Sequence, residues 1–325
     1  MSLRTGVVGL GIGRTHLHYY AQMPEVQLVG VADLRIEAAK QTTDEYKISA
    51  FQTAEELIDK GDLDLISICT PPKSHREITA LAASQGVHVF CEKPMAPSIE
   101  DCDAMIKTCE QHKVKLMIGL KKRFAPAYCF IREKLDFGQI LWADYKFALG
   151  RVEKDWFWEE DDGSGPILEN TVHAIDNLRS LMGNVMRVYA EGGNLFMAHR
   201  APQIDAAVFT LRFESGGIAT VAAGYGSEWG FTQEVLAISS KKMAAEVHGG
   251  FDNPTDLRYI YRNNPTDVKT MHFDDAGGFS GEFKHIVECI QENKTPIPNG
   301  IEGREAVRVC LAVKKSARSG QPILI

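Results

Sequence analysis

Lys93 stands at the end of the apolar run Val87 to Cys91 and is followed at once by Pro94. A lysine at the carboxyl end of a strand in a parallel sheet faces a bound ligand, because ligands of such sheets sit in the crevice beyond those strand ends. Its ammonium can donate a hydrogen bond to a developing alkoxide. A second group is Glu169 and His173, four residues apart in the run Pro166 to Leu178, which reads as a helix entered through the turn Gly163-Ser164-Gly165. That spacing puts both side chains on one helical face. A carboxylate beside an imidazole raises its pKa and fixes its tautomer, as a general base near neutrality requires. A surface Glu/His pair would show the same spacing, and Asp176 belongs equally to the site or to the helix surface. Just upstream, Trp156-Phe157-Trp158 lies between Asp155 and Glu159. Flat rings with an indole donor suit the C–H faces of a sugar or polyol, although core packing would use the same residues.

A third group would hold a nucleotide. The β-branched start of the chain runs into Gly9-Leu10-Gly11-Ile12-Gly13-Arg14, and a helix pattern follows over Thr15 to Gln22. Strand, glycine turn and helix together make an anion site, since the helix N-terminus offers free N–H groups to a pyrophosphate. The third glycine falls one place earlier than in G-x-G-x-x-G, so the loop is expected to be one residue shorter. The next strand, Val26 to Ala32, ends at Asp33, where a carboxylate can accept from a ribose 2′-hydroxyl. NAD is therefore the expected cofactor. NADP stays open through Arg35, which stands close enough to meet a 2′-phosphate.

The elements that must position these groups alternate through the first 120 residues. Thr53-Ala54-Glu55-Glu56 is a capping box, Leu65 to Cys69 a buried strand, and Thr70-Pro71-Pro72-Lys73-Ser74-His75 a turn into a helix ending near Gly86. Further elements are a strand at Val87 to Cys91, a helix capped at Ser98 and a strand at Val114 to Gly119. Five or six strands with intervening helices predict a doubly wound parallel sheet over residues 1–120. The rhythm then changes. After Lys121-Lys122-Arg123-Phe124 comes a helix from Pro126 to Asp136 closed by Gly138. Strand-like runs follow at Ile140 to Gly150, Val185 to Glu191, Ala206 to Glu214, Ile218 to Gly224, Phe231 to Ser239 and Ala244 to His248. Gly216-Gly217 reads as a two-residue hairpin turn. Residues 121–325 are thus expected to form an α+β domain with a mostly antiparallel sheet, ending in helices over about 281–319.

Composition narrows the class. A chain of 325 residues, 44% hydrophobic and 24% charged, is long enough for two domains. A net charge of -7 gives no footprint for nucleic acid or an anionic membrane. No apolar run reaches the length of a membrane span. The 7 cysteines are scattered without Cys-x-x-Cys and read as buried, reduced thiols. Met1-Ser2-Leu3-Arg4 lacks the apolar core of a secretory signal, so the cytoplasm is the expected compartment. No metal site is read.

Taken together, Gly13-Arg14-Thr15-His16, Thr70 to His75, Glu92-Lys93-Pro94, Lys122-Arg123-Phe124-Ala125-Pro126, the turn before Glu169 and His173, and the closing stretch from Phe283 resemble one family. It is the glucose-fructose oxidoreductase / inositol dehydrogenase (Gfo/Idh/MocA) family of NAD(P)-dependent oxidoreductases. The resemblance implies a Rossmann domain for the cofactor, substrate between it and an open-faced sheet, and a homodimer or homotetramer built on that sheet. It makes Lys93 the catalytic lysine and His173 the acid/base histidine, with Glu169 where many members carry Asp. Cofactor contacts are expected from Gly9, Gly11, Ile12, Gly13, Arg14, Asp33, Thr70, Pro71, Pro72, His75, Glu92 and Lys93, and substrate contacts from Arg123, Trp156, Trp158, Asn170 and His173. The implied reaction is hydride transfer between a nicotinamide and a secondary hydroxyl or ketone of a sugar, polyol or related molecule. Two alternatives accompany it: a redox-neutral NAD-dependent glycosidase, and a non-enzymatic nucleotide-binding regulator.

Overall fold

A computed structural model describes residues 2–135, 139–149, 152–225, 233–250 and 252–325. Asp136, Gly138, Gly150 and Phe231, expected at element ends, lie outside the described residues. The chain divides into two compact units: residues 1–120 with 279–304, and residues 121–278 with 305–325.

In the first unit the strands are β1 (Leu3–Val8), β2 (Val26–Ala32), β3 (Ser49–Phe51), β4 (Leu65–Ile68), β5 (His88–Cys91) and β6 (Leu116–Ile118). Their order is β3-β2-β1-β4-β5-β6, and every pairing is parallel. Parallel pairing needs crossovers, supplied by helices α1 (Gly13–Tyr20), α2 (Ile36–Tyr46), α3 (Ala54–Gly61), α4 (His75–Ser84) and α5 (Ile99–His112). The strand order reverses between β1 and β4, which makes the carboxyl edge there the ligand crevice of a doubly wound sheet. Thr53 caps α3 by accepting from Glu56 N–H, but the returning Glu56 carboxylate takes the N–H of Gln52 instead of Thr53. Ser98 caps α5 by accepting from Asp101 N–H.

Residues 279–304 were expected in the second domain, yet they pack with the first unit. Phe283 explains it. Its ring is 1% exposed and lies 4.7 Å from His16, 4.9 Å from Tyr20 and 5.5 Å from Phe90. Burial of a phenylalanine on that scale contributes about 1.5–3 kcal/mol.

The second unit holds helices α6 (Pro126–Lys134), α7 (Asp155–Trp158), α8 (Pro166–Glu169) and α9 (Thr171–Met182). Helices α10 (Phe279–Gln291) and α11 (Gly300–Ser319) complete the described set, the latter returning to the second unit at residue 305. Its sheet comprises β7 (Ile140–Leu149), β8 (Val185–Gly193), β9 (Ala206–Phe213), β10 (Ile218–Tyr225), β11 (Gln233–Ser240), β12 (Met243–Gly250), β13 (Asn253–Tyr261), β14 (Lys269–His272) and β15 (Ile323–Leu324). The order is β14-β13-β12-β11-β7-β10-β9-β8-β15. All of these pairings are antiparallel except β7 with β10.

Period-two alternation gives this sheet one buried and one open face. In β9, Ala207, Phe209, Leu211 and Phe213 are buried while Val208, Thr210 and Arg212 are exposed. The open face also carries Trp142, Tyr189 and Ile218. The β9–β10 turn is longer than the expected two residues: Glu214 to Gly217 intervene, and Gly216 adopts φ 87°. Among the cysteines Cys129 is exposed, a correction to the expectation that all are buried; the other six are buried and all seven are free thiols.

Candidate active site

On the first unit, four of the expected groups follow four parallel strands at the same edge: Gly9 after β1, Asp33 after β2, Thr70 after β4 and Lys93 after β5. Each glycine of the turn has a separate task. Gly9 adopts φ 88°, and a Cβ there would come within 2.6 Å of the Cys69 carbonyl oxygen. Gly13 starts α1, and a Cβ would meet Val7 Cγ1 at 3.0 Å, so this glycine provides the close helix–strand contact despite its early place in the motif. Gly11 is exposed with open space where a Cβ would project, which leaves the backbone approachable. Helix α1 has no side-chain cap and no acidic residue in its first turn. Its start therefore keeps the positive end that a pyrophosphate requires, with Ile12 and Arg14 exposed beside it.

Asp33 is fastened to this turn. Its Oδ2 accepts from Leu10 N–H at 2.9 Å, and its Oδ1 accepts from Arg35 N–H at 2.9 Å. Arg35 Nε lies 3.4 Å from the same oxygen. An open helix start, an approachable glycine backbone and a positioned carboxylate form a donor and acceptor set that fits a dinucleotide.

Behind that edge, His75 and Glu92 hold loops together. His75 is fully buried, with Nε2 2.8 Å from the Thr70 carbonyl and Nδ1 3.2 Å from that of Met95. Burial lowers its pKa, and the two carbonyls offset this only in part. It joins the Thr70-Pro71-Pro72 turn, in which Pro72 is buried and Pro71 exposed, to the segment after Lys93. Glu92 meets His16 Nε2 at 3.0 Å and accepts from Lys93 N–H at 3.1 Å. Lys93 itself is half-buried.

In the second unit the expected single helix over Pro166 to Leu178 is divided at Asn170 into α8 and α9. Backbone bonds flank the break, from Glu169 N–H to Gly165 O at 3.0 Å before it and from His173 N–H to Asn170 O at 3.1 Å after it, and Thr171 Oγ1 spans it by donating to Pro166 O at 3.1 Å. Glu169 and His173 are both buried, 8% and 4% exposed. Arg123, expected at the substrate, spends Nε and Nη2 on the Asp176 carboxylate at 2.9 and 2.6 Å. This bidentate pair ties the turn Lys121–Phe124 to α9 and assigns Asp176 to the interior, where it is fully buried. Trp158 is tied down as well. Its indole donates to Val152 O at 2.8 Å, and the ring packs with Phe157 and Met197 in a core cluster. Trp156 is half-buried against that cluster.

Sequence reasoning missed a buried charged network. Lys122 has no exposed side-chain surface and pairs with Glu234 and, at 3.1 Å, with Asp252. Lys121 binds the other Asp252 oxygen. Tyr128 and Tyr145 both donate to Glu234 Oε1, and Asn177 on α9 lies 3.5 Å from the Tyr145 hydroxyl. Burial alone would lower the Lys122 pKa, but Glu234 and Asp252 reverse this and hold it above its ordinary value. For Asp252, burial would raise the carboxyl; Lys122, His173 and Lys121 together hold it well below the usual carboxylate range. One signal was present: in β11 the alternation Glu234, Leu236, Ile238 puts the carboxylate on the apolar side.

A glycine turn opening an uncapped helix at the switch point of a parallel sheet defines a dinucleotide-binding fold, and the comparisons agree. Residues 3–120 match the model of an oxidoreductase family with an NAD-binding Rossmann fold, and residues 131–249 match the GFO/IDH/MocA C-terminal domain. The chain belongs to the GFO/IDH/MocA family. It is similar to myo-inositol 2-dehydrogenase of Thermotoga maritima, 25% identical over 97% of this chain and 96% of that one. Aldose-aldose oxidoreductase from Caulobacter crescentus, solved with glycerol, superposes with TM-score 0.87 at 25% identity over 100% of both chains. The WlbA dehydrogenase of Bordetella pertussis, solved with NADH and UDP-GlcNAcA, shares the fold with TM-score 0.87 at 23% identity, covering 100% of this chain and 98% of that one. The protein is an NAD-binding oxidoreductase, and the relatives it is similar to include dehydrogenases of myo-inositol and scyllo-inositol. Among the described residues, no helix is long and apolar enough to cross a membrane.

Proposed function

We propose that the chain catalyses reversible oxidation of a secondary hydroxyl on a sugar, polyol or related small molecule. The observation that carries this reading is the place of Lys93, two residues past the end of β5 at the sheet edge where the glycine turn also opens. Bound NAD supplies the hydride acceptor. Lys93 donates a hydrogen bond to the reacting oxygen and stabilises its developing negative charge. His173 receives the hydroxyl proton as general base, with Glu169 orienting the imidazole. Arg123 acts through Asp176 by holding α9. The reading requires Lys93 and His173 to serve one hydroxyl. Self-association over the open sheet face belongs to the same reading, and light scattering above the 36.0 kDa of one chain is its check.

The test is to incubate the purified protein with NAD and a panel of inositols and aldoses while following NADH absorbance. At least one member should give NADH, and Lys93→Met should slow its formation by ~10²–10⁴-fold. Cleavage of a glycoside without net NADH would favour redox-neutral hydrolysis instead.

A further inference from the structure

We infer that Lys314 is a positioning residue for the segment bearing Glu169 and His173, its ammonium fastening the Gly163-Ser164-Gly165 turn from which that segment starts. The consequence for turnover rests on the proposed oxidation; the fastening itself does not. Lys314 lies on α11 with its side chain 3% exposed. Its Nζ donates to Ser164 Oγ and lies 3.3 Å from Ser164 O, 3.3 Å from Gln203 Oε1 and 3.2 Å from Glu160 Oε1. These acceptors are themselves held. Gln203, 3% exposed, donates through Nε2 to Glu160, and Arg318, one turn after Lys314, reaches both Glu160 oxygens at 3.3 and 3.2 Å. A buried ammonium is placed where backbone and side chain of one serine converge.

That serine is the right place to hold. Ser164 adopts φ 59° and Gly165 φ 77°, and a side-chain-bearing residue seldom holds the left-handed region unaided. Ser164 N–H donates to Glu159 O at 2.8 Å and Gly165 N–H to Phe157 O at 2.7 Å, wiring the turn to the aromatic loop. Downstream, Glu169 N–H bonds Gly165 O at 3.0 Å, and Thr171 Oγ1 donates to Pro166 O at 3.1 Å. His173 N–H then bonds Asn170 O. An unbroken run of bonds thus leads from the Lys314 ammonium to the His173 backbone. A four-residue helix such as α8 has no stability of its own, so its pose is set by its start. Displacing a general base by about 1 Å can cost ~10²-fold in rate.

The experiment is hydrogen–deuterium exchange on Lys314→Met and on the milder Ser164→Ala, followed by kinetics. Exchange over residues 156–173 should quicken about tenfold or more in Lys314→Met, with the rest of the chain unchanged and NAD affinity kept. With a substrate from the panel, Lys314→Met should lower kcat by about 10- to 100-fold in the wild-type background. In the His173→Ala background it should lower kcat by less than about twofold, because the group it positions is gone. If Lys314→Met does not fold, Ser164→Ala decides by the same local exchange. Unchanged exchange over 156–173, an increase spread evenly over residues 121–278 in both variants, or an equal kinetic loss in both backgrounds would overturn the inference. If no compound is oxidised by the wild type, the oxidation reading fails and the exchange result still decides the fastening.

Discussion

His16 Nε2 lies 3.0 Å from Glu92 Oε1, so the helix that follows the glycine turn is bonded to the residue that precedes Lys93. The same carboxylate accepts from Lys93 N–H. One buried side chain therefore connects the cofactor turn to the candidate catalytic lysine. Glu92→Ala leaves His16 buried without that partner, at a cost of about 1–3 kcal/mol. Urea unfolding should show that loss, and turnover should fall with it while Glu92→Gln retains most of both.

Lys122→Met removes the cation that Glu234 and Asp252 share in the interior. Leaving a buried charge uncompensated costs about 3–5 kcal/mol. The double variant Lys122→Met/Glu234→Leu should recover part of this, which a denaturant series on the single and double variants measures.

Acid should weaken the second unit through Glu160. Lys314, Arg318 and Gln203 outweigh its desolvation and lower its pKa from 4.5 to about 2. A depressed folded pKa contributes stability that is fully present above 4.5 and is lost as pH falls toward 2. Thermal unfolding between those limits should therefore fall less steeply in Glu160→Gln than in the wild type.

Cofactor choice should follow Asp33. Its carboxylate is fixed beside the glycine turn, where it can accept from a 2′-hydroxyl and repels a 2′-phosphate. Binding measurements should favour NAD, and Asp33→Ala should move the preference toward NADP. Equal or tighter NADP binding by the unaltered protein would give control of the pocket to Arg35.

The parallel sheet was legible because strands such as Leu65–Ile68 are mostly apolar, buried throughout and followed by a turn signal. β3 has three residues and β14 carries exposed lysine and histidine, so neither shows a hydrophobic period. The return of residues 279–304 to the first unit was hidden for another reason. An amphipathic helix reveals that one face is buried, but the partner of Phe283 is set by His16 and Tyr20 far away in the chain. Lys93 on the first unit, and Glu169 and His173 on the second, stood out as candidates by residue type and spacing. Trp158 was not decided by them, because a ring that stacks on a sugar and one that packs on Met197 look alike in sequence. Lys122 read only as part of a basic stretch, since its partners Glu234 and Asp252 come from more than a hundred residues away.

The most direct measurement is steady-state turnover beside NAD affinity for Lys93→Met and His173→Ala, on a substrate the wild type oxidises. Loss of preorganised charge stabilisation or of the general base should lower kcat by ~10²–10⁴-fold in each variant, with NAD affinity near that of the wild type. Near-normal turnover in either variant would contradict the mechanism.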